Sequence, residues 1–190
     1  MTSWLRIVLG CAICLAIAIF IFAVRGLLTT TTTTTAFTLL ALIASLASLG
    51  YQIWRTGLVQ AADLLMRFEQ NFFGAEKLKQ RSLAAGNNLA DPDDFVEMED
   101  ILDFFETIAM LTRKRALNLY MVWHTFDYWI ERYYGVAKSY IHERQKRDPG
   151  VWEDLSWLVP KLEKLNAKKK RVHVNAEALA AFLAEEAAEA

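Results

Sequence analysis

Apolar residues fall along this chain in two patterns: unbroken runs near the N-terminus, then helical stripes. Ile7 to Val24 holds no charge and no proline, and Ala36 to Trp54 is broken only by Thr38, Ser45, Ser48 and Gln52. Each run approaches the roughly 20 residues an α-helix needs to cross a bilayer, where a closed helix satisfies its own backbone groups. The pattern predicts a two-span transmembrane hairpin over residues 1–55, with spans at about 4–24 and 36–54 and a threonine-rich loop at 25–35. Thr29 to Thr35 is a homopolymer that cannot specify packing.

Beyond the hairpin the apolar spacing turns helical. Leu58, Ala61, Leu65, Phe68, Phe72 and Ala75 recur at alternating steps of three and four, with no proline from Tyr51 to Ala85. This predicts that the second span continues as the first helix of the next domain and ends at Gly86 before Asn87-Asn88. Asp91-Pro92-Asp93-Asp94 then reads as a helix start, with Asp91 as cap and proline in the first turn. Phe95, Met98, Leu102, Phe105 and Ala109 follow as its stripe. Leu119, Val122, Phe126, Trp129, Tyr133, Val136 and Tyr140 mark the next helix, ending near Arg147 at Asp148-Pro149-Gly150. A further helix spans about Val151 to Leu165, with Pro160 expected to kink or break it.

The expected fold is therefore all-α: a transmembrane hairpin at 1–55, an antiparallel cytoplasmic helical bundle at 56–166, and a tail at 167–190. The tail holds a basic run, Lys168, Lys169, Lys170 and Arg171, then an Ala/Glu-rich segment capped by Asn175. Leu179, Phe182 and Leu183 are its apolar anchors, so it is expected to be either a frayed helix or a docking segment.

Charge sharpens the boundary. Residues 1–54 carry two of the 21 Lys and Arg, Arg6 and Arg25, and none of the 22 Asp and Glu. That leaves 19 cations against 22 acids, or −3, in the remainder. A near-neutral domain of mixed sign offers no global field for nucleic acid, which is not expected as a partner. Arg6 on one side, with Arg55 and Arg67 after the second run, outweighs Arg25 in the loop, so both termini are expected in the cytoplasm of a bacterial inner membrane. Tyr51, Trp54 and Arg55 are candidate interfacial anchors. Gly10, Cys14 and Ala18, with Ala41 and Ser45 and Ala44 and Ser48, place small residues at helical spacing and form a candidate membrane packing seam. The seam fits either contact between the two spans or a homo-oligomer.

Candidate chemistry is sparse. Cys11 and Cys14 form a CxxC inside an apolar run, where thiols act as small apolar fillers, and no other cysteine completes a site or a disulfide. No phosphate-cradling glycine loop, zinc spacing or nucleophile elbow occurs. His124, Asp127 and Glu131 share one face, and Glu99, Asp103 and Glu106 on another helix could meet them. The Glu-x-x-His pairs of a di-metal bundle are missing, however. The close Arg–His pair of HEPN-type helical RNases is missing too, since Arg132 and His142, and Arg115 and His124, stand too far apart. No catalytic, cofactor or metal residue is assigned.

Asp103-Phe104-Phe105-Glu106-Thr107-Ile108, Leu117 to Trp123, Tyr133-Tyr134 and Arg144 resemble a family of uncharacterised bacterial proteins with N-terminal membrane spans and a helical cytoplasmic domain of unknown function. The likeness covers about residues 55–165, with Ala109 where that family carries glycine. It implies an architecture and no catalytic residues. The expected function is a non-enzymatic, membrane-anchored, self-associating module that scaffolds or relays signals to a cytoplasmic protein partner, with the lipid bilayer as its other partner. The alternative, from an architectural similarity to the membrane-embedded accessory protein of some RNA-targeting CRISPR systems, is a pore-forming or nucleic-acid-binding accessory effector of a bacterial defence system.

Overall fold

The computed structural model describes residues 17–18, 30–91, 93–170 and 174–189. The described residues are helical throughout, with no strand. They form α1 (Thr30–Phe72), α2 (Ala75–Ala90), α3 (Val96–Arg113), α4 (Leu119–Arg147), α5 (Glu153–Lys168) and α6 (Ala176–Ala188). The chain divides into two units, Met1–Gly57 and Leu58–Ala190, with the division inside α1.

In the first unit, residues 17–18 are helical and the rest of the expected first span lies outside the described residues. From Thr35 to Gly57 α1 is exposed or half-exposed at every position. Phe37, Leu39, Leu42, Leu46, Leu49 and Ile53 each leave more than half of their surface open.

The second unit is a helical bundle. Its centre is aromatic: the Phe72 ring stacks on Phe104 at 5.5 Å and meets Phe105, Phe126 and Trp129 at 5.3–5.8 Å. Ile101, Leu102, Ile108, Ile130, Leu155, Leu158 and Leu162 fill the space around them and are fully buried. The helical stripes anticipated this inward face.

Several boundaries differ from expectation. α1 already begins at Thr30, so Thr30–Thr35 extend the helix where a loop was expected, since β-branching weakens a helix without forbidding it. The helix entering the bundle ends at Phe72 instead of Gly86, and a new one begins at Ala75 and runs through Gly86 to Ala90. Gly74 sits at the break because a Cβ there would come within 3.2 Å of the Gln70 and Asn71 carbonyls. The next helix begins at Val96, not at Asp91. Asp91 instead ends α2, its N–H donating to the Asn87 carbonyl. Its extended backbone is the conformation the following proline imposes. Pro160 is carried within α5 on the exposed side, where water can serve the carbonyl it leaves unpaired.

The acidic face of α3 is used within the fold. Glu106 accepts from the Asp154 and Leu155 N–H groups at 3.0 and 2.7 Å, capping α5 from a neighbouring helix. Asp103 accepts from the Trp152 indole at 2.8 Å, and Glu99 accepts from the Tyr140 hydroxyl. Trp152 has a left-handed backbone (φ 50°), and Gln145 holds that turn by donating to the Val151 carbonyl at 2.8 Å.

Burial pushes the Glu106 carboxyl above the ordinary range, against the pull of the two N–H donors. A carboxyl raised in the folded state gives stability that is complete below its unfolded value, about 4.3, and lost as pH rises through the folded value. Glu106→Gln removes one of the two cap acceptors, with an expected cost of about 1–2 kcal/mol. Its deficit relative to the wild type should be wider at about pH 4 than at about pH 7, as read from denaturant midpoints. An equal or narrower gap at acid pH would contradict this assignment.

Candidate functional site

Two features stand apart from routine packing, one in each unit.

The first is the apolar helix. Thr35–Phe72 is long and apolar enough to cross a membrane by length and composition, and none of its most apolar 18-residue window is buried. Ala41, Ala44, Ser45 and Ser48 are all exposed on it, and the Ser45 hydroxyl donates to the Ala41 carbonyl at 2.8 Å. Returning that hydroxyl to its own helix leaves a smooth small-residue surface. Tyr51, Trp54 and Arg55 are also exposed, with the two rings 6.1 Å apart. Gly10 and Cys14 lie outside the described residues, and Ala18 is exposed.

The second is a buried ion pair that no motif announces. Arg81, on the inward face of α2, donates from Nε to Glu186 Oε2 at 2.7 Å and from Nη2 to Glu186 Oε1 at 2.6 Å. Both residues are almost wholly buried. The guanidinium lies beside two rings that themselves meet at 5.3 Å, 4.5 Å from the Phe72 centroid and 4.4 Å from that of Trp129. Its Nη1 donates to the Phe72 carbonyl at 3.3 Å. The Tyr133 hydroxyl donates to Glu186 Oε2. Burial works against the Arg81 charge, but the Glu186 carboxylate outweighs it and holds the guanidinium above its ordinary value. Burial first, and the adjacent carboxylate second, push the Tyr133 phenol well up, so it stays a donor. The arrangement can recognise a carboxylate, and α6 supplies that carboxylate.

α6 rests on α2 and α4. Phe182 meets the Tyr133 ring edge-on at 5.0 Å, and the Ser82 hydroxyl donates to the Ala187 carbonyl at 3.1 Å. Leu179 seats over Gly135, where a Cβ would come within 3.1 Å of it. The tail is thus a docked helix capped by Asn175, whose side chain accepts from the Ala178 N–H at 2.9 Å. The sequence held a signal for this pair. Leu179, Phe182, Leu183 and Glu186 share one face at steps of three, one and three, which puts a charge among the anchors.

The other candidates scatter. Glu99, Asp103 and Glu106 are engaged as described and do not meet His124, Asp127 and Glu131. Instead the buried Asn166 amide donates to Asp127 at 2.9 Å and to Glu131 at 2.7 Å, while the Trp123 indole donates to Asn166 at 2.7 Å. His124 is exposed. Among the described residues no group of three His, Cys, Asp or Glu could hold a metal. Lys168, Lys169 and Lys170 are exposed at the end of α5, and Arg171 lies outside the described residues.

The second unit is an all-helical bundle domain, and the chain carries a helix of membrane-spanning length and composition. The chain belongs to the family described as Domain of unknown function (DUF4760), whose profile matches residues 35–162. No curated protein matches the chain, and no solved structure does.

Replacing Arg81 with Met should lower unfolding stability by about 3–5 kcal/mol, because Glu186 is left as an unpaired buried charge. Combining Arg81→Met with Glu186→Leu should recover much of the loss. Chemical denaturation of the four species closes the cycle, and additive losses would show that the pair is not coupled.

Proposed function

We propose that this chain is a membrane-anchored, self-associating helical module that scaffolds a cytoplasmic protein partner or relays signals to it, without catalysis. The single observation that most supports this is the apolar stretch of α1 that no described residue covers. Leu39, Leu42, Leu46, Leu49 and Ile53 project outward with more than half of their surface open. A soluble fold buries such side chains at a gain of about 1.5–3 kcal/mol each, and lipid tails supply the same cover. Arg55 and Arg67 follow the apolar run and favour a cytoplasmic location for what comes next. With a first span over 4–24, both termini lie in the cytoplasm of a bacterial inner membrane. The exposed Ala41, Ala44, Ser45 and Ser48 give α1 a face on which a second helix can approach closely.

The chain is expected to stay in the membrane pellet through an alkaline wash, and recovery in the supernatant would overturn the anchor. Crosslinking in membranes should yield species above the monomer, reduced several-fold by Ala41→Leu with Ser48→Leu. Recovery of monomer alone would remove self-association. Dye leakage from cells producing the chain would instead favour a pore-forming effector.

A further inference from the structure

One end of the second unit gathers cations from two distant parts of the sequence. Helices α3 and α4 run antiparallel, since Phe95 stacks on Tyr140 at 4.5 Å while Phe105 meets Phe126 at 6.3 Å. The turn 114–118 that joins them therefore lies at the end away from Phe95. α5 brings its C-terminus to the same end, because the Trp123 indole near the start of α4 donates to Asn166 at 2.7 Å. Lys168, Lys169 and Lys170 come just after Asn166, and Lys114 and Arg115 occupy the turn. All five are exposed, and among the described residues none of them is in an ion pair. Arg113 is different, being answered by Glu153 and Asp154 at 2.7 and 2.8 Å. Residues 113–124 and 164–173 contain no Asp or Glu, whereas Asp91 to Asp100 at the opposite end holds six acids and no cation. The α4 carboxylates on this side, Asp127 and Glu131, accept from the Asn166 amide.

The chain enters the second unit at this same end. α2 leads into Phe95 and begins beside Phe104, where the Lys77 ammonium lies 5.8 Å over the ring, so α2 covers the Phe95 half of α3. α1 meets Phe104 with Phe68 and Phe72 at 5.6 and 5.5 Å. The half of α3 beyond Phe104 is left for the earlier turns of α1. Leu111, two turns after Phe104 on the same face, joins the core that buries Ala61 and Leu65. Only residues 56–60 separate Arg55 from Ala61, so the chain itself keeps this end near whatever surface receives Trp54 and Arg55. Tyr120 adds an exposed ring here, 5.2 Å from Trp123, of the amphipathic type that favours the headgroup level. The positive end of α4 lies here too, with no acid in its first turn.

We propose, resting on the membrane-anchor reading, that this end of the bundle binds anionic phospholipid headgroups, with Lys114, Arg115, Lys168, Lys169 and Lys170 as the phosphate-binding cations. Clustered Lys and Arg beside a membrane span are drawn to the negative cytoplasmic surface, each strengthening the attraction several-fold. Nucleic-acid phosphate carries the same charge, but the tether holds these residues at a bilayer. The chain beyond residue 54 is also net −3, which disfavours a long polyanion. The same surface repels the acids at the Phe95 end, so the bundle is oriented as well as held.

The test uses the full chain with Cys11→Ser, Cys14→Ser and Ala116→Cys, labelled at residue 116 in the exposed turn and reconstituted into vesicles. Energy transfer to an acceptor on the lipid headgroups reads how close the turn lies to the bilayer. Transfer should be several-fold higher with phosphatidylglycerol mixed into phosphatidylcholine than with phosphatidylcholine alone, and high salt should reduce it. Replacing Lys114, Arg115, Lys168, Lys169 and Lys170 with Gln should abolish the difference, whereas Lys146→Gln with Arg147→Gln, at the other end of α4, should leave it. The substituted positions are exposed, and an unchanged helical circular dichroism spectrum checks the fold. Equal transfer in both vesicle types would overturn the proposal. A response to single-stranded RNA on phosphatidylcholine vesicles, with none to phosphatidylglycerol, would overturn it in favour of nucleic acid. An alkaline wash of the same vesicles separates the two readings. A chain that stays and shows equal transfer loses only the headgroup contact, whereas a chain that washes off loses the anchor and this contact with it.

Discussion

The guanidinium of Arg81 is the constraint around which the second unit closes. A cation almost wholly removed from water is tolerated only when its charge and its donors are answered. Here the Phe72 and Trp129 rings lie against the guanidinium, the Phe72 carbonyl takes one donor, and Glu186 takes the remaining edge. Those groups come from α1, α4 and α6, and Arg81 itself from α2. A single side chain therefore links the end of the apolar helix, the break at Gly74, the aromatic helix and the C-terminal helix. The break itself becomes intelligible in this light. Had α1 continued straight through Gly74, the Phe72 ring and the Arg81 guanidinium would sit on one rod, about 13 Å apart along its axis at 1.5 Å per residue, too far to stack.

The aromatic density of α4 has the same logic. Trp129 and Tyr133 are one turn apart, so one supplies a ring to the cation and the other a hydroxyl to its carboxylate. Phe182 then closes the edge against Tyr133. This is an aromatic core with hydroxyls at its rim, as the tyrosine spacing suggested, but two of those hydroxyls are committed to carboxylates, Tyr133 to Glu186 and Tyr140 to Glu99. A carboxylate bound by tyrosine and arginine is specified in direction as well as in charge, which simple apolar packing does not provide.

How much of this was legible in the sequence follows from which interactions are local. Helix α4 was readable to its ends because seven apolar residues keep strict spacing and Asp148-Pro149-Gly150 stops it. The inward leucines of α5 and the Asn175 cap of α6 were readable for the same reason. The start of α3 was misread because Asp91 is a good cap by residue type. Asp91 is claimed by α2, and Asp94 accepts from the Val96 N–H only after the turn is complete. The Arg81–Glu186 pair joins residues far apart in sequence, so neither periodicity nor a motif marks it. What the sequence offered was Glu186 among the apolar anchors of α6, whereas Arg81 shares its inward face with Ser82 and Asn88, and only the packing shows that the two charges answer each other.

The carboxylates of α3 carry the argument one step further. As a sequence, eight acids without a cation between Asp91 and Glu106 resemble a surface awaiting a basic partner. In the fold several of them are already spent: Glu106 on the start of α5, Asp103 on Trp152, Glu99 on Tyr140 and Arg144, Asp91 and Asp94 on their own turns. Each of these bonds is short-ranged and fixes one helix end or one crossing. The acidic stretch therefore works mainly as the wiring of the bundle. One feature whose partner is not fixed in the same way is the apolar face of α1, which no described residue covers. A bilayer can satisfy it, because lipid tails cover such side chains as a protein core would.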